Sequence, residues 1–402
     1  MMSSLLQGRK ILLGVSSGIA IYKAVDLLSK LRKAKAELRV ILTPEAEKMV
    51  SGLVFSAVGN CPVYSDIFKV QEGFIPHTDL SRWAELFAIA PATANTIAKL
   101  NAGIADNLLL ATALAYPDKP KLLVPTMNTR MFENPVTTEN IAKLGSQGWS
   151  VVAPEEGHLA CGDVGKGRYP ENELIIEEMA YLLSEKPLAG MKALVTAGPT
   201  RERIDNVRYI TNRSSGKMGY AIARALRYMG AEVVLVTGPT ALRAPAGVEV
   251  VKVQSAAEMA GAVDLYSKDS KVIVMAAAVA DYKPVKPSEH KIKKSPGEFT
   301  LRLERTRDIL ATLERKEDQI VIGFCAEDRE LEKKAREKLE KKSLDAIVCN
   351  DISRSDIAFG SEENEVFVYF KDGSSEHLDK ADKELIASQL VKRVILRLLS
   401  NS

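Results

Sequence analysis

Two turns of small residues, each placed directly after an apolar run, are the first segments whose residue types could do chemistry. Gly14-Val15-Ser16-Ser17-Gly18 follows residues 10–13, and Ala197-Gly198-Pro199-Thr200 follows residues 191–196. Small residues let a phosphate approach backbone N–H groups at a helix start, where the helix dipole favours an anion. Glycine in such a turn also serves tight packing alone, so both interpretations stay open.

A third turn, Pro91-Ala92-Thr93-Ala94-Asn95-Thr96, follows the apolar residues 85–90. Its hydroxyl and amide groups suit the cap of the next helix. They equally suit contact with a cofactor, because open α/β sheets bind ligands at the carboxyl ends of their strands.

The segment Ser214-Ser215-Gly216-Lys217-Met218 resembles part of a P-loop. A Walker motif needs a glycine where this chain has Thr211, and a metal-binding hydroxyl where it has Met218. A P-loop kinase is therefore excluded. The same residues still suit a phosphate held at the start of a helix that runs to Tyr228.

The elements that must position these turns form two similar series. Buried parallel strands read as continuous apolar runs, and strand–turn–helix repetition predicts wound α/β sheets. We expect strands at 10–15, 37–43, 85–90, 120–125, 149–153, 191–197, 231–237, 248–253, 271–277, 319–324 and 344–349. The Asp372-Gly373 turn predicts a hairpin over 365–378. The fold class is thus α/β, with two Rossmann-like domains, each a mostly parallel sheet flanked by helices, and a β-hairpin added to the second.

The polar stretch 184–190 carries a proline and a glycine and suits a domain junction. We expect domains at 1–188 and 189–402, since 402 residues suit two folding units.

Composition excludes several function classes. The 55 basic and 52 acidic residues leave a net charge of +3, which gives no reason to expect nucleic acid. No apolar run reaches the roughly 20 residues that cross a bilayer, and residues 1–10 do not resemble a secretory signal. The four cysteines have no paired spacing, so we expect reduced thiols and a cytoplasmic protein. Four histidines make a histidine-based metal site improbable.

Five motifs in the first half, in this order, carry a resemblance over residues 8–182. They are residues 16–23 (SSGIAIYK), 77–80 (HTDL), 90–99 (APATANTIAK), 125–128 (PTMN) and 160–163 (ACGD). Together they resemble the homo-oligomeric flavin-containing cysteine decarboxylases, and among them the phosphopantothenoylcysteine decarboxylases. The resemblance implies FMN as cofactor, bound by Ser16, Ser17, Gly18, Thr43, Pro91, Thr93, Asn95 and Thr96.

The resemblance also assigns three reacting residues. Loss of CO₂ from a cysteine carboxylate needs an electron sink, which FMN supplies by oxidising the thiol. His77 is implied as the base and Asn128 as the amide that binds the substrate carboxylate. Cys161 is implied as the late proton donor, on a glycine-rich flap at 162–168. A lone loop histidine or cysteine is ordinarily incidental, so these roles depend on the motifs together.

The second half contains residues 196–202 (TAGPTRE), 211–219 (TNRSSGKMG), 276–282 (AAAVADY) and 290–294 (HKIKK). With these motifs, roughly residues 190–400 resemble the phosphopantothenate–cysteine ligases, and the order of the two halves matches the bifunctional prokaryotic enzymes of coenzyme A synthesis. Such a ligase activates a carboxylate on the α-phosphate of a nucleotide, then lets the amine of cysteine displace the monophosphate. Triphosphate chemistry calls for positive charge and Mg²⁺. The resemblance assigns Asn212 to the acyl intermediate, Lys291 to catalysis and Asp281 to the metal. The implied nucleotide contacts are Ala276, Ala277, Asp281, Lys291, Arg307, Asp308, Ile309, Leu310, Phe324, Lys338 and Lys342.

Some of these assignments have competing interpretations. Lys338 and Lys342 share one helical face in a run of charges whose default role is a solvated, salt-bridged surface. Residues 305–310 (RTRDIL) depart from the more usual Lys-Asn-Pro-Asp-Ile-Val, which leaves the contacts to the base open.

The partners implied are 4'-phosphopantothenate, cysteine and CTP, with ATP as the alternative nucleotide, and no nucleic acid or membrane. A homo-oligomer is expected, with trimeric flavin domains, dimeric ligase domains and a dodecamer if both assemble. The alternative functions are a flavin-dependent peptidyl-cysteine decarboxylase and a non-catalytic flavin-binding regulatory subunit.

Overall fold

The computed structural model describes residues 5–69, 73–158, 162, 164–293, 298–327, 329–351 and 361–400. They form two compact units, Met1–Ser184 and Glu185–Ser402. Within the described part of the chain, no helix combines the length and the apolar character that a bilayer crossing needs.

The first unit is built on a six-stranded sheet whose strands all run parallel. The strands are β1 (Lys10–Val15), β2 (Glu37–Leu42), β3 (Val63–Tyr64), β4 (Leu86–Ala92), β5 (Lys121–Pro125) and β6 (Trp149–Val151). Their order across the sheet is β3-β2-β1-β4-β5-β6. The helices are α1 (Ile21–Lys33), α2 (Pro44–Met49), α3 (Gly52–Gly59), α4 (Pro76–Trp83), α5 (Ala94–Ala102), α6 (Leu108–Leu114), α7 (Thr129–Phe132), α8 (Pro135–Ser146) and α9 (Asn172–Leu183). An antiparallel pair, β7 (Glu155–His158) and β8 (Val164–Arg168), lies outside the sheet.

The apolar runs form these strands because both faces of the sheet are covered. Every residue of β4 is buried, as expected of a central parallel strand. The order of the strands reverses between β1 and β4, since the chain continues to β2 and β3 on one side and returns on the other. The turns after β1 and β4 therefore face each other across a crevice, which is where such sheets bind ligands.

The second unit repeats this plan on an eight-stranded sheet. Its strands, with two short flanking pairs included, are β9 (Lys192–Ala197), β10 (Arg201–Arg203), β11 (Tyr209–Thr211), β12 (Glu232–Thr237), β13 (Glu249–Lys252), β14 (Val272–Met275), β15 (Tyr282–Pro284), β16 (Leu303–Arg305), β17 (Ile320–Glu327), β18 (Ala346–Asp351), β19 (Glu363–Phe370) and β20 (Ser375–Asp382). The sheet order is β13-β12-β9-β14-β17-β18-β19-β20. In this order, the six strands β13, β12, β9, β14, β17 and β18 run parallel, whereas β19 and β20 are antiparallel.

The helices of this unit are α10 (Lys217–Tyr228), α11 (Ala256–Tyr266), α12 (Leu331–Lys341), α13 (Lys383–Gln389) and α14 (Leu396–Ser400), with a 3₁₀ turn at Ser267–Asp269 and a π-helical turn at Leu390–Ile395. The expected α/β class, with two mostly parallel sheets and a hairpin on the second, is confirmed. Each expected strand is present within a few residues of its expected bounds.

The expectation of reduced, unpaired thiols is wrong for two of the cysteines. Cys325 on β17 and Cys349 on β18 are register partners and form a disulfide, with their Cα atoms 4.7 Å apart. Sequence spacing could not indicate this, because adjacent parallel strands bring together residues that are 24 apart in the chain. Cys61 is a buried free cysteine, and its burial raises the thiol pKa to about 11.

Candidate functional sites

A cavity of about 710 Å³ opens at the carboxyl ends of β1, β4 and β5. Its polar wall comes from the turns after those strands and from the β7–β8 pair: Ser17, Gly18, Thr93, Asn95, Thr126, Asn128, His158 and Arg168. A Cβ at Gly18 would meet only Thr93 Cγ2 within 4 Å, at 3.8 Å. Space in front of the first turn is thus open to a ligand.

A buried hydrogen-bonded layer supports this wall. Ser16 Oγ donates to the Pro91 carbonyl at 2.8 Å and accepts from the Thr93 N–H at 3.0 Å, which ties the first two turns together. Thr96 Oγ1 lies 3.1 Å from Thr93 Oγ1, and Thr43 caps α2. Of the predicted flavin contacts, the cavity is lined by Ser17, Gly18, Thr93 and Asn95, whereas the supporting layer holds Ser16, Thr43, Pro91 and Thr96.

Asn128 lies on the cavity wall at the start of α7. Its Oδ1 accepts from the Arg130 N–H at 2.9 Å, so the side chain caps the helix. The Met127 N–H donates to the Gly167 carbonyl at 3.0 Å. A Cβ at Gly167 would sit 2.3 Å from the Met127 carbonyl oxygen, so only glycine lets β8 approach here. The Asn128 turn is therefore held by β8.

His77 is the second residue of α4, and it is not among the described residues that line the cavity. Its Nδ1 is buried and has no hydrogen-bond partner within the described part of the chain. The prediction for Cys161 lies outside the described residues, between β7 and β8.

Two adjoining cavities occupy the corresponding edge of the second sheet. They measure about 330 and 510 Å³ and share Ala277, Val279, Asp281 and Phe324. We call the smaller one the helix-start cavity, because Ser214, Ser215, Gly216 and Lys217 at the start of α10 line it. It is also lined by Asn212, Lys338, Asn350, Asn364 and Lys383. We call the larger one the loop cavity, because Arg305, Thr306, Arg307, Asp308, Ile309, Leu310 and Lys342 complete it.

The wall between the two cavities is pinned by side chains of neighbouring segments. Thr196 Oγ1 accepts from the Ala277 N–H at 3.1 Å, and Thr200 Oγ1 accepts from the Ala280 N–H at 2.9 Å. The Asn212 amide donates to the Val279 carbonyl at 2.9 Å. Asn212, predicted to hold the acyl intermediate, therefore contacts the segment 276–281, which is predicted to bind the nucleotide.

The start of α10 faces the helix-start cavity and packs closely on the sheet. A Cβ at Gly219 would lie 2.6 Å from Ala197 Cβ and 2.9 Å from the Thr196 carbonyl oxygen. The glycine therefore brings the helix against β9, and with it Ser215 and Lys217 to the cavity.

Lys338 and Lys342 lie on one face of the α12 segment, one at each cavity, and both are ion-paired. Lys338 Nζ is 2.6 Å from Glu327 Oε1, and Lys342 Nζ is 3.0 Å from Asp308 Oδ2. Burial is the largest single effect and opposes ionisation of both carboxyl groups, but hydrogen bonds and nearby lysine charges together outweigh it and lower the pKa of Glu327 and of Asp308. The salt-bridged interpretation and the cavity-lining interpretation therefore both hold for these lysines.

Arg307 lines the loop cavity and also fixes its shape. Its guanidinium contacts the Asp264 carboxylate at 2.5 and 3.0 Å, and its Nε donates to Thr312 Oγ1 at 2.7 Å. The hydrogen bond to Asp264 raises the pKa of Arg307.

Lys291 is exposed and lies outside both sets of lining residues, on the segment that follows β15. Asp281 lies on the shared wall and is also exposed. Among the described residues, no group of three or more His, Cys, Asp or Glu side chains is arranged to hold a metal ion.

Sequence reasoning missed Lys383, Asn350 and Asn364 at the helix-start cavity. They come from α13, β18 and β19, far along the chain from the motifs, and no local pattern marks them. Lys383 is half-buried, and burial followed by repulsion from Lys217 lowers its pKa.

Comparisons with known proteins agree with the division into two units. Residues 2–184 match the flavoprotein family, and residues 188–397 match the DNA/pantothenate metabolism flavoprotein C-terminal domain. The chain is 44% identical over 396 residues to the coenzyme A biosynthesis bifunctional protein CoaBC of Bacillus subtilis, covering 97% of each chain. It is 38% identical over 399 residues to the protein of the same name in Escherichia coli K12, covering 98% of each. A crystal structure of the C-terminal domain of a CoaBC protein is 43% identical, with a TM-score of 0.46, and the match covers 54% of this chain and 98% of that one.

Proposed function

The chain belongs to the family of coenzyme A biosynthesis bifunctional proteins, and on that premise we propose that its first unit decarboxylates and its second unit ligates. The second unit joins 4'-phosphopantothenate to cysteine, and the first removes CO₂ from the 4'-phosphopantothenoylcysteine formed, which leaves 4'-phosphopantetheine. The observation that carries this division is that each unit has its own polar cavity system at the carboxyl edge of its own parallel sheet.

We propose FMN as the cofactor of the first unit. The open space at Gly18 and the N–H groups at the starts of α1 and α5 suit a phosphate, and Ser17, Thr93 and Asn95 add polar contacts. When bound, FMN supplies the oxidation and re-reduction that let a cysteine carboxylate lose CO₂.

Residues of the chain then bind the substrate and transfer protons. We propose that the Asn128 amide holds the substrate carboxylate without adding charge, and its position on the cavity wall supports this role. The His77 imidazole accepts a proton, and the Cys161 thiol returns one after CO₂ has left. These assignments rest on the sequence motifs, with the cavity position of Asn128 as support.

A shared site follows from the position of His77. Because His77 is not among the described residues that line the cavity of its own chain, we propose that it serves the cavity of a neighbouring copy. Ile19 and Tyr22, at the rim of the cavity, are 67% and 63% exposed, and they suit contact with that copy. The trimeric flavin domains, the dimeric ligase domains, the dodecamer and the cytoplasmic location stay predictions.

In the second unit we propose CTP as the nucleotide and an acyl-cytidylate as the intermediate. The loop cavity and the helix-start cavity meet at Asp281 and Phe324, so two substrates bound side by side would bring a carboxylate to an α-phosphate. Lys217, Lys338 and Lys342 provide positive charge for the phosphates. Mg²⁺ commonly binds through one or two carboxylates and substrate phosphates, and Asp281 can supply one.

The test is one coupled assay on the whole protein. Phosphopantothenate and cysteine are supplied with CTP or with ATP, and CO₂ is measured together with CMP or AMP. We expect CMP and CO₂ in equal amounts, with a slower reaction in ATP. Nucleotide cleavage without amide formation, or CO₂ release that needs no nucleotide, would contradict the proposal.

A further inference from the structure

A buried carboxylate outside both ligase cavities has an unusual set of partners. Asp205 lies in the turn between β10 and β11, and its side chain is 0% exposed. Its Oδ1 accepts from the N–H groups of Val207 and Arg208, each at 2.8 Å. Its Oδ2 accepts from Arg208 Nε at 3.0 Å and Nη2 at 2.5 Å, and from the Ile292 N–H at 3.1 Å.

The contact with Ile292 reaches across 87 residues of sequence. Arg208 Nη2 also donates to the Ile292 carbonyl at 2.8 Å, so both peptide groups that flank this residue are held. A third hydrogen bond, from the Ser288 N–H to the Ile204 carbonyl at 2.9 Å, fixes the other end of the segment. The turn at 204–208 therefore holds the exposed segment 288–292 at two places.

Asp205 makes more hydrogen bonds than its turn alone needs. A turn aspartate ordinarily accepts from the backbone N–H two residues further along, and Oδ1 here accepts from those of Val207 and Arg208, two and three residues further along. The second oxygen binds Arg208 and Ile292 together, and the Arg208 hydrogen bond holds the pKa of Asp205 well below its usual value. The carboxylate is consequently charged at neutral pH, and charge-assisted hydrogen bonds of this kind are stronger than neutral ones.

Lys291 is the residue whose position this arrangement sets. It directly precedes Ile292, and its side chain is exposed. We propose that Asp205 is a positioning residue of the ligase, which acts through Arg208 and the Ile292 peptide to hold the backbone beside Lys291, so that the exposed ammonium group can reach the transferring phosphate. This inference rests on the catalytic role proposed for Lys291.

The first test is Asp205→Asn in the full-length protein. The amide is the same size, but its NH₂ cannot accept from the Ile292 N–H. A displacement of about 1 Å costs up to about 10²-fold in rate when a reacting group is misplaced. We expect kcat of ligation to fall about 10- to 100-fold, with the nucleotide KM and decarboxylation of supplied intermediate unchanged. Hydrogen exchange at 288–293 should accelerate.

The control is Asp372→Asn, at another turn of the same unit. Asp372 accepts from the Ser374 N–H at 2.9 Å and from Arg397 Nη2 at 3.0 Å, but it binds no segment near Lys291. Ligation should stay at the wild-type rate. If Asp205→Asn does not fold, Asp205→Ser serves instead, since its hydroxyl can keep the turn N–H contacts and is too short to reach Ile292.

A double-mutant cycle separates positioning from a general structural role. In the Lys291→Gln background, Asp205→Asn should cost no further ligation rate, because the group that it positions is gone. An equal loss in both backgrounds, or wild-type ligation in Asp205→Asn, overturns the inference. Wild-type ligation in Lys291→Gln alone instead overturns the proposed role of Lys291, so the two failures are distinguishable.

Discussion

Replacement of Gly219 by alanine tests how the start of α10 is placed at the helix-start cavity. The new Cβ would lie 2.6 Å from Ala197 Cβ and 2.9 Å from the Thr196 carbonyl oxygen, so the helix must move away from β9. Thr196 also accepts from the Ala277 N–H, and the movement therefore reaches the wall that both cavities share.

The magnitude follows from two opposing terms. Alanine is favoured over glycine in a helix by about 0.5–1 kcal/mol. Overpacking of a closed contact costs about 1–3 kcal/mol. The Gly219→Ala protein should thus lose about 1 kcal/mol of folding free energy. If a similar cost falls on substrate binding, the KM of a ligase substrate rises about fivefold.

Gly261 provides the matched control, because it lies within α11 of the same unit and a Cβ there would meet nothing within 4 Å. Gly261→Ala should gain about 0.5–1 kcal/mol and leave every KM unchanged. The assay measures the KM values for nucleotide and 4'-phosphopantothenate, with decarboxylation of supplied intermediate as the internal reference. If Gly219→Ala behaves like Gly261→Ala, the helix start does not shape the ligase site.

Three further predictions follow from the two units. Lys291→Gln should lower ligation about 10²–10³-fold, as the loss of an electrostatic donor does elsewhere, and leave decarboxylation intact; ligation within about threefold of wild type would make Lys291 a solvated surface residue. Denatured protein without reductant should show two reactive thiols, those of Cys61 and Cys161, and all four only after reduction; four thiols at the outset would contradict the Cys325–Cys349 bond. Asp308 and Glu327 have lowered pKa values in the folded unit, because their hydrogen bonds and the nearby lysine charges together outweigh burial. Their contribution to the free energy of unfolding is full above the unfolded carboxyl pKa of about 4, and it is lost as the pH falls through the lower folded values. The urea midpoint should therefore drop on acidification. It should drop less in Lys338→Met, which removes the ion pair between Lys338 and Glu327.

The main strands could be predicted because parallel strands covered on both faces need continuous apolar runs, as in residues 86–92 and 272–275. The short pairs could not. Strands β7 and β8 read Glu-Glu-Gly-His and Val-Gly-Lys-Gly-Arg, which are polar and glycine-rich and carry no periodic signal. They form because β8 contacts the Asn128 turn, through the hydrogen bond between Met127 and Gly167.

The candidate sites could be predicted where one turn supplies several residues, as at Ser17 and Gly18 or at 305–310. Residues brought in by distant elements left no local signal, and Lys383 is the clearest example. Thr43 and Thr96 were predicted as flavin contacts, but they support the cavity wall and do not line it. Residue type alone does not separate these two positions.

Asn128→Asp separates the two reactions that one chain performs at two separate sites. Aspartate keeps an oxygen that can accept from the Arg130 N–H, so the helix cap survives, but its charge repels a substrate carboxylate. The measurement supplies phosphopantothenate, cysteine and CTP to the full-length protein and follows CMP, CO₂ and the acyl-cysteine intermediate together. We predict that CMP release continues at the wild-type rate, that CO₂ release stops, and that 4'-phosphopantothenoylcysteine accumulates. Loss of CMP and CO₂ together, or undiminished CO₂, would contradict the account.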